Sequence, residues 1–171
     1  MTQYTLADLT RFCGAKRRSV QLWAESGALR PNPETDRAGT GTHRTFGAVE
    51  AVVACVLAAA AIRQIAIGEL ARIGSMVRQQ LYQHDRAEVF NAAIRGEGRA
   101  WLVVFLPEGR GQIEKVTTDR NNLIHFEPQD TELLNFAEVF AATGPDRRLA
   151  YVIDLNASLI GLREEFPDGL P

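Results

Sequence analysis

Three cations stand in a row, Lys16-Arg17-Arg18, and Ser19 and Gln21 follow within about one helical turn. Cations placed at a helix start lie beside outward backbone N–H groups, and phosphate oxygens satisfy both through charge and the helix dipole. Gln21 can hold adenine through two hydrogen bonds in a major groove, and Ser19 can reach a base edge of either kind. The chemistry predicted is therefore capture of a polyanion. A second polar set, Arg37, Thr42, His43 and Arg44, lies further along the chain and could touch the same partner. Bond-making chemistry has weaker signs. His84, His125 and Asp154 are framed by no Ser/His/Asp order, metal-ligand spacing or phosphate loop, so no enzyme activity and no cofactor are expected. Cys13 and Cys55 are too few for a zinc cluster or a disulfide scaffold and read as small core residues, with no metal expected.

Local signals outline the elements that must position these side chains. Thr5-Leu-Ala-Asp8 pairs an N-cap residue with an acidic partner three positions on, and Gly14 offers a stop. A second helix is expected from about Lys16 to Ser26, ending at Gly27, with Val20, Trp23 and Ala24 inward. Two short helices around a tight Gly-containing turn form a helix-turn-helix. From Pro31 to about Thr45 the composition turns to Pro, Gly, Thr and Asn, which predicts a polar hairpin, a wing, with Gly39 and Gly41 at its turn. Beyond it, a helix apolar nearly all round is expected from Phe46 to about Gln64, hence buried. An amphipathic one follows over about Ile67–Tyr82, with Leu70, Ile73, Val77 and Leu81 on one side, and a short one over about Arg86–Arg95. Tyr4 and Phe46 read as core.

Past Gly96-Glu97-Gly98 the period changes. Trp101 to Leu106 is a β-branched and aromatic run, and Gln112 to Thr117 reads as its returning strand. The stretch Asn121–Phe126, with His125, reads as irregular and able to line a pocket. A helix over about 130–142, a strand over Leu149–Leu155 and a last helix capped by Asn156 and ending near Phe166 complete a ββαβα order. The fold class expected is α+β. Residues 1–82 form a winged helix-turn-helix with supporting helices, 83–96 a helical linker, and 97–171 a small α+β domain for effector binding or self-association. The edges of the strand beginning at Trp101 are expected to pair across a two-fold axis.

Composition fits this outline. Apolar residues are 46% and charged residues 23% of 171, near the globular average. Residues 1–82 carry ten Lys/Arg against six Asp/Glu, and residues 83–171 nine against fifteen, which predicts a basic module beside an acidic one. The longest apolar stretch, Ala51–Ile62, falls short of the roughly 20 residues of a membrane span. With no basic-then-apolar leader, the expected place is the cytoplasm, away from membrane.

The first 82 residues resemble the DNA-binding domain of the MerR family of transcriptional regulators. The resemblance runs through Tyr4-Thr5, Asp8-Leu9, Cys13-Gly14, Arg18-Ser19-Val20, Trp23, Gly27, Leu29 and Pro31. It resumes with Gly41, Arg44, Phe46 and Glu50, close to the family's Gly-Tyr-Arg-x-Tyr signature and the acidic residue behind it. It implies a recognition helix entering a major groove of double-stranded DNA, a wing on flanking backbone, and a homodimer, with RNA polymerase or a small effector as further partners. It also implies that Arg18 and Arg44 clamp phosphates. The DNA-facing set is then Thr5, Lys16, Arg17, Arg18, Ser19, Gln21, Trp23, Arg37, Thr42, His43 and Arg44. Two readings stay open for Trp23: an indole N–H on a phosphate, or an anchor between helices. His43 holds an aromatic position of the family, which implies packing. The sequence departs from the family in a longer wing, in Leu22-Trp23 where a tyrosine pair is usual, and in the lack of a sustained heptad after residue 82. That last departure also fits a DNA-architectural or recombination-directionality protein, and a winged-helix adaptor without DNA affinity is a third possibility.

Overall fold

The computed structural model describes residues 3–36, 43–106, 122–127 and 149–171. The chain opens with β1 (Tyr4–Thr5) and α1 (Leu6–Cys13), then α2 (Arg17–Glu25), the single-turn α3 (Pro33–Asp36) and β2 (Thr45–Phe46). Three longer helices follow: α4 (Ala48–Ala61), α5 (Ile67–Leu81) and α6 (His84–Arg95). Strands β3 (Arg99–Leu106), β4 (Asn122–Glu127) and β5 (Leu149–Asp154) lead to α7 (Leu155–Ser158) and a 3-10 turn at Ile160–Leu162. Helices and two small antiparallel sheets share one chain, as in the α+β class. No described helix is long and apolar enough to cross a membrane.

The first helix forms where its cap signals predict. Thr5 N donates to Asp8 Oδ2 at 2.8 Å, Asp8 N donates back to Thr5 Oγ1 at 3.3 Å, and Gly14 closes the helix at φ 64°. Helix α2 buries Val20, Trp23 and Ala24 and hands the chain to Gly27 at φ 78°, a left-handed turn that suits glycine. Between Pro31 and Phe46 the expected hairpin is replaced in part by α3. Pro33 occupies its first position, where the missing N–H costs nothing. Strand β2 then pairs with β1, Tyr4 opposite Phe46 and Thr5 opposite Thr45, and both aromatic rings are buried.

Helix α4 is buried almost all round, its one charged member being Glu50 in the first turn. Glu50 meets Arg78 of α5, with Nε on Oε1 at 2.5 Å and Nη2 on Oε2 at 2.6 Å. The same Nη2 donates to Ala28 O at 2.8 Å, and Arg30 N donates to Glu50 Oε2 at 2.8 Å. A buried ion pair thus joins α4, α5 and the segment leaving α2. Along α5, Leu70, Ile73 and Val77 are buried as their spacing predicts, and Leu81 is half-buried.

The C-terminal sheet has the order β4-β3-β5. Three expectations change here. Asn122–Glu127 is a strand rather than an irregular stretch, because each of its residues pairs in register with β3, His125 opposite Trp101. Strand β3 is central, with both edges hydrogen-bonded, so it cannot offer an edge to a second copy. The last helix is capped by Asp154, whose Oδ1 accepts from Ala157 N at 3.0 Å, and not by Asn156. Asn156 instead accepts from Ala100 N at 2.8 Å and donates to Gly98 O at 3.2 Å, because the start of β3 supplies backbone groups in need of partners. That helix is also short, giving way to the 3-10 turn before Phe166. The expected strand at 112–117 and helix at 130–142 lie outside the described residues.

The core runs unbroken past the Gly96–Gly98 turn. Phe90, Ala93 and Ile94 on one side and Leu102, Ile153, Leu155, Leu162 and Phe166 on the other belong to one buried cluster with Leu9 and Phe12. Tyr4 packs edge-on against Phe12 and Phe166, and its hydroxyl donates to Glu165 Oε1 at 3.2 Å. Gly161 lies directly on α1, where an added Cβ would collide with the Phe12 carbonyl.

Two outcomes follow from this packing. Arg78→Ala strands the Glu50 charge and should cost about 3–5 kcal/mol in urea unfolding, whereas Glu50→Leu with Arg78→Met together should cost much less. Gly161→Ala should destabilise the whole chain in one transition, because it forces the C-terminal turn off α1; two separate transitions would count against a shared core.

Candidate nucleic-acid interface

Helix α2 begins without a side-chain cap and without an acidic residue in its first turn. Lys16, Arg17 and Arg18 are exposed there, so cations stand at the helix end whose dipole favours anions. Residues 17, 21 and 25 are four apart and share one face of the helix. That face forms a wall of a cleft of about 470 Å³ lined by Thr5, Leu6, Ala7, Arg17, Gln21, Glu25, His43 and Arg44. The cleft is bounded by three segments: the start of α1, one side of α2, and the residues entering β2.

Five of the expected residues meet here: Thr5, Arg17, Gln21, His43 and Arg44. Arg17 has no ion-pair partner among the described residues. Arg44 Nε is 3.4 Å from Asp36 Oδ1 of α3, a half-exposed pair of the kind worth at most about 1 kcal/mol, which an incoming phosphate can displace. The backbone beside Arg44 is tightly held: Asn32 N donates to Thr45 O at 2.7 Å, and Thr45 N donates to Thr35 Oγ1 at 3.0 Å. Gln21 Nε2 donates to Glu25 Oε1 at 2.8 Å, and Arg18 Nη1 lies 4.0 Å from that same oxygen.

Other members of the set stand elsewhere. Trp23 is 3% exposed, so its indole belongs to the core and is removed from the surface that carries Arg17 and Gln21. That burial fits the reading of Trp23 as a packing residue. Ser19 is half-buried, and with Lys16 and Arg18 it does not line the cleft. His43, expected to pack, is exposed and faces the cleft. Thr5 lines it too, but its hydroxyl donates to Asp8 Oδ2 at 2.7 Å and is committed to the helix cap. Arg37 and Thr42 lie outside the described residues. Sequence reasoning passed over Glu25, although its place four residues after Gln21 and eight after Arg17 was available as a signal. It also passed over Arg78, which braces the segment behind the cleft from 28 residues beyond its carboxylate partner.

A second groove, of about 510 Å³, runs between α1, α4, β5 and α7 and is lined by both cysteines. Cys55 is buried as expected, while Cys13 is half-buried. Burial raises the pKa of both thiols, favouring the neutral form. Among the described residues no group of three His, Cys, Asp or Glu side chains could hold a metal ion. His84 opens α6, while His125 and Asp154 flank Trp101 on neighbouring strands.

No protein-family profile matches the sequence, and no curated protein is detectably similar to it.

The cap assignment can be checked. Thr5→Ala should lower stability by about 0.5–2 kcal/mol. The bonds from the Thr5 backbone and hydroxyl, in that order, hold the Asp8 carboxyl below its usual pKa. A carboxyl lowered in the folded state contributes stability above its unfolded pKa, near ~3.9, and loses it as pH falls through the folded value. The stability gap between wild type and Asp8→Ala should therefore be full at neutral pH and narrow below about pH 4 in a denaturation series.

Proposed function

We propose that the chain is a sequence-specific DNA-binding transcriptional regulator, with α1 and α2 as a MerR-like helix-turn-helix, α2 in the major groove, and the segment from α3 to β2 as the wing on flanking backbone. One observation carries this reading: Arg17 and Gln21 of α2 and His43 and Arg44 ahead of β2 converge on a single cleft. Cations beside a hydrogen-bonding amide suit a duplex, whose phosphates position a protein and whose base edges specify it. On this reading Arg17, Arg18 and Arg44 meet phosphates and Gln21 meets a base. The partners proposed are double-stranded DNA and a second copy of the chain, in the cytoplasm.

A second reading, a DNA-architectural or recombination-directionality protein, draws on α5 and α6. These helices break at Tyr82-Gln83 instead of continuing as one long dimer helix. A footprint distinguishes the two: a single palindromic site in a promoter spacer favours the regulator, and tandem direct repeats favour the architectural protein.

The test is a salt titration of wild type and single variants on preferred and scrambled duplexes. Arg17→Ala, Arg18→Ala and Arg44→Ala should each weaken binding to all sequences alike and flatten the slope of log affinity against log salt by roughly 0.9. Gln21→Ala should cost ~1–3 kcal/mol on the preferred site with the slope unchanged. Folded arginine variants that keep the wild-type affinity and slope would place the DNA on another face.

A further inference from the structure

Glu25 is the one carboxylate among the described residues lining the basic cleft. An anion there is repelled by every phosphate the cations attract, so backbone contact gives it no role. The geometry around it offers another. Gln21 and Arg18 both address Oε1, at 2.8 and 4.0 Å, which leaves Oε2 with no partner among the described residues. The Gln21 amide gives one N–H to Glu25 and keeps its other N–H and its carbonyl oxygen. The two side chains together present two acceptors and one donor from the same stripe of α2.

On the DNA-binding reading given above, we infer that Glu25 selects a C·G pair by accepting the cytosine 4-amino hydrogen on Oε2, beside an A·T pair held by Gln21. In the major groove cytosine shows that donor with no acceptor of its own beside it. Adenine sets its N7 acceptor next to its amino group, which repels a carboxylate and suits an amide. The charge on Glu25 thus separates two bases that both present an amino hydrogen. The Gln21 bond to Oε1 orients the carboxylate with Oε2 left to accept, before DNA arrives.

The experiment is selection from a randomised duplex library at low salt with the full chain, in wild type, Glu25→Ala and Glu25→Gln. Competition between duplexes differing at the one selected pair follows. Wild type should select cytosine next to adenine and prefer that cytosine roughly 5- to 150-fold over other bases. Glu25→Ala should keep the adenine preference and lose the cytosine preference. Its salt slope should be unchanged, because no phosphate contact goes. Glu25→Gln, with its size retained, should move the preference at that pair towards adenine. Glu25 is exposed on α2, and matching melting curves for both variants confirm that the fold is kept.

A cytosine preference that survives in folded Glu25→Ala overturns the inference while leaving the DNA reading intact. So does uniform strengthening on every sequence, which would make Glu25 a general repulsive charge. A wild type that binds no duplex at low salt overturns the DNA reading and this inference with it.

Discussion

The cleft depends on the buried pair between Glu50 and Arg78. Taking two charges out of water is costly, and the attraction between them offsets that only where the remaining polar atoms find partners. Here most do. Two bonds join the guanidinium to the carboxylate, a third runs from Nη2 to the Ala28 carbonyl, and the Arg30 amide completes Oε2. The exception is Arg78 Nη1, which is buried with no partner among the described residues. Close packing sets this geometry: an added Cβ at Gly74 would lie 2.7 Å from the Ala28 oxygen and 3.2 Å from Nη1. The absence of a side chain at Gly74 lets α5 approach closely enough for Arg78 to reach both targets.

From that pair the constraint passes outward through bonds of ordinary strength. Ala28 is bonded to α5 and Arg30 to α4, and Asn32 then ties the following segment to Thr45. Thr45 sits in register with Thr5, and Thr5 caps α1. The three walls of the cleft are thus successive links in one chain of contacts, anchored at a buried charge pair. The C-terminal turn lies on α1 at Gly161, and Phe166 packs edge-on against Tyr4 of β1, so the acidic half of the sequence braces the basic half.

The electrostatics of the cleft are balanced rather than uniformly positive. Asp36 holds Arg44, and Glu25 holds Gln21 and stands near Arg18. Such surface pairs are weak and readily exchanged, so they orient side chains without preventing them from turning to a ligand. Salt screens the longer-range part within about 10 Å at 0.1 M, which leaves hydrogen-bond geometry to decide what the cleft accepts.

Short-range physics made part of this legible in the sequence. The Thr5/Asp8 cap and the Gly14 stop involve residues three or four apart, so their outcome depends on little else. The continuous apolar character of α4 and the inward spacing of Val20, Trp23 and Ala24 likewise predicted burial. Of the residues singled out for their chemistry, Arg17, Gln21, His43 and Arg44 do come to line one cleft. Other features needed the folded chain, because they depend on groups far apart in sequence competing for one partner. Asp154 and Asn156 are both good caps, and only the bare backbone at the start of β3 drew Asn156 away. Asn122–Glu127 carries mixed polarity and becomes a strand because β3 presents an unpaired edge to it. Arg78 looks like any helix-surface arginine until α4 brings Glu50 beside it from 28 residues away. Glu25 reads as a solvated charge until the fold sets His43 and Arg44 across one cleft from it. Local hydrogen bonding and hydropathy could be read in one dimension; burial of charge and the sharing of a cleft arise only when distant segments exclude water together.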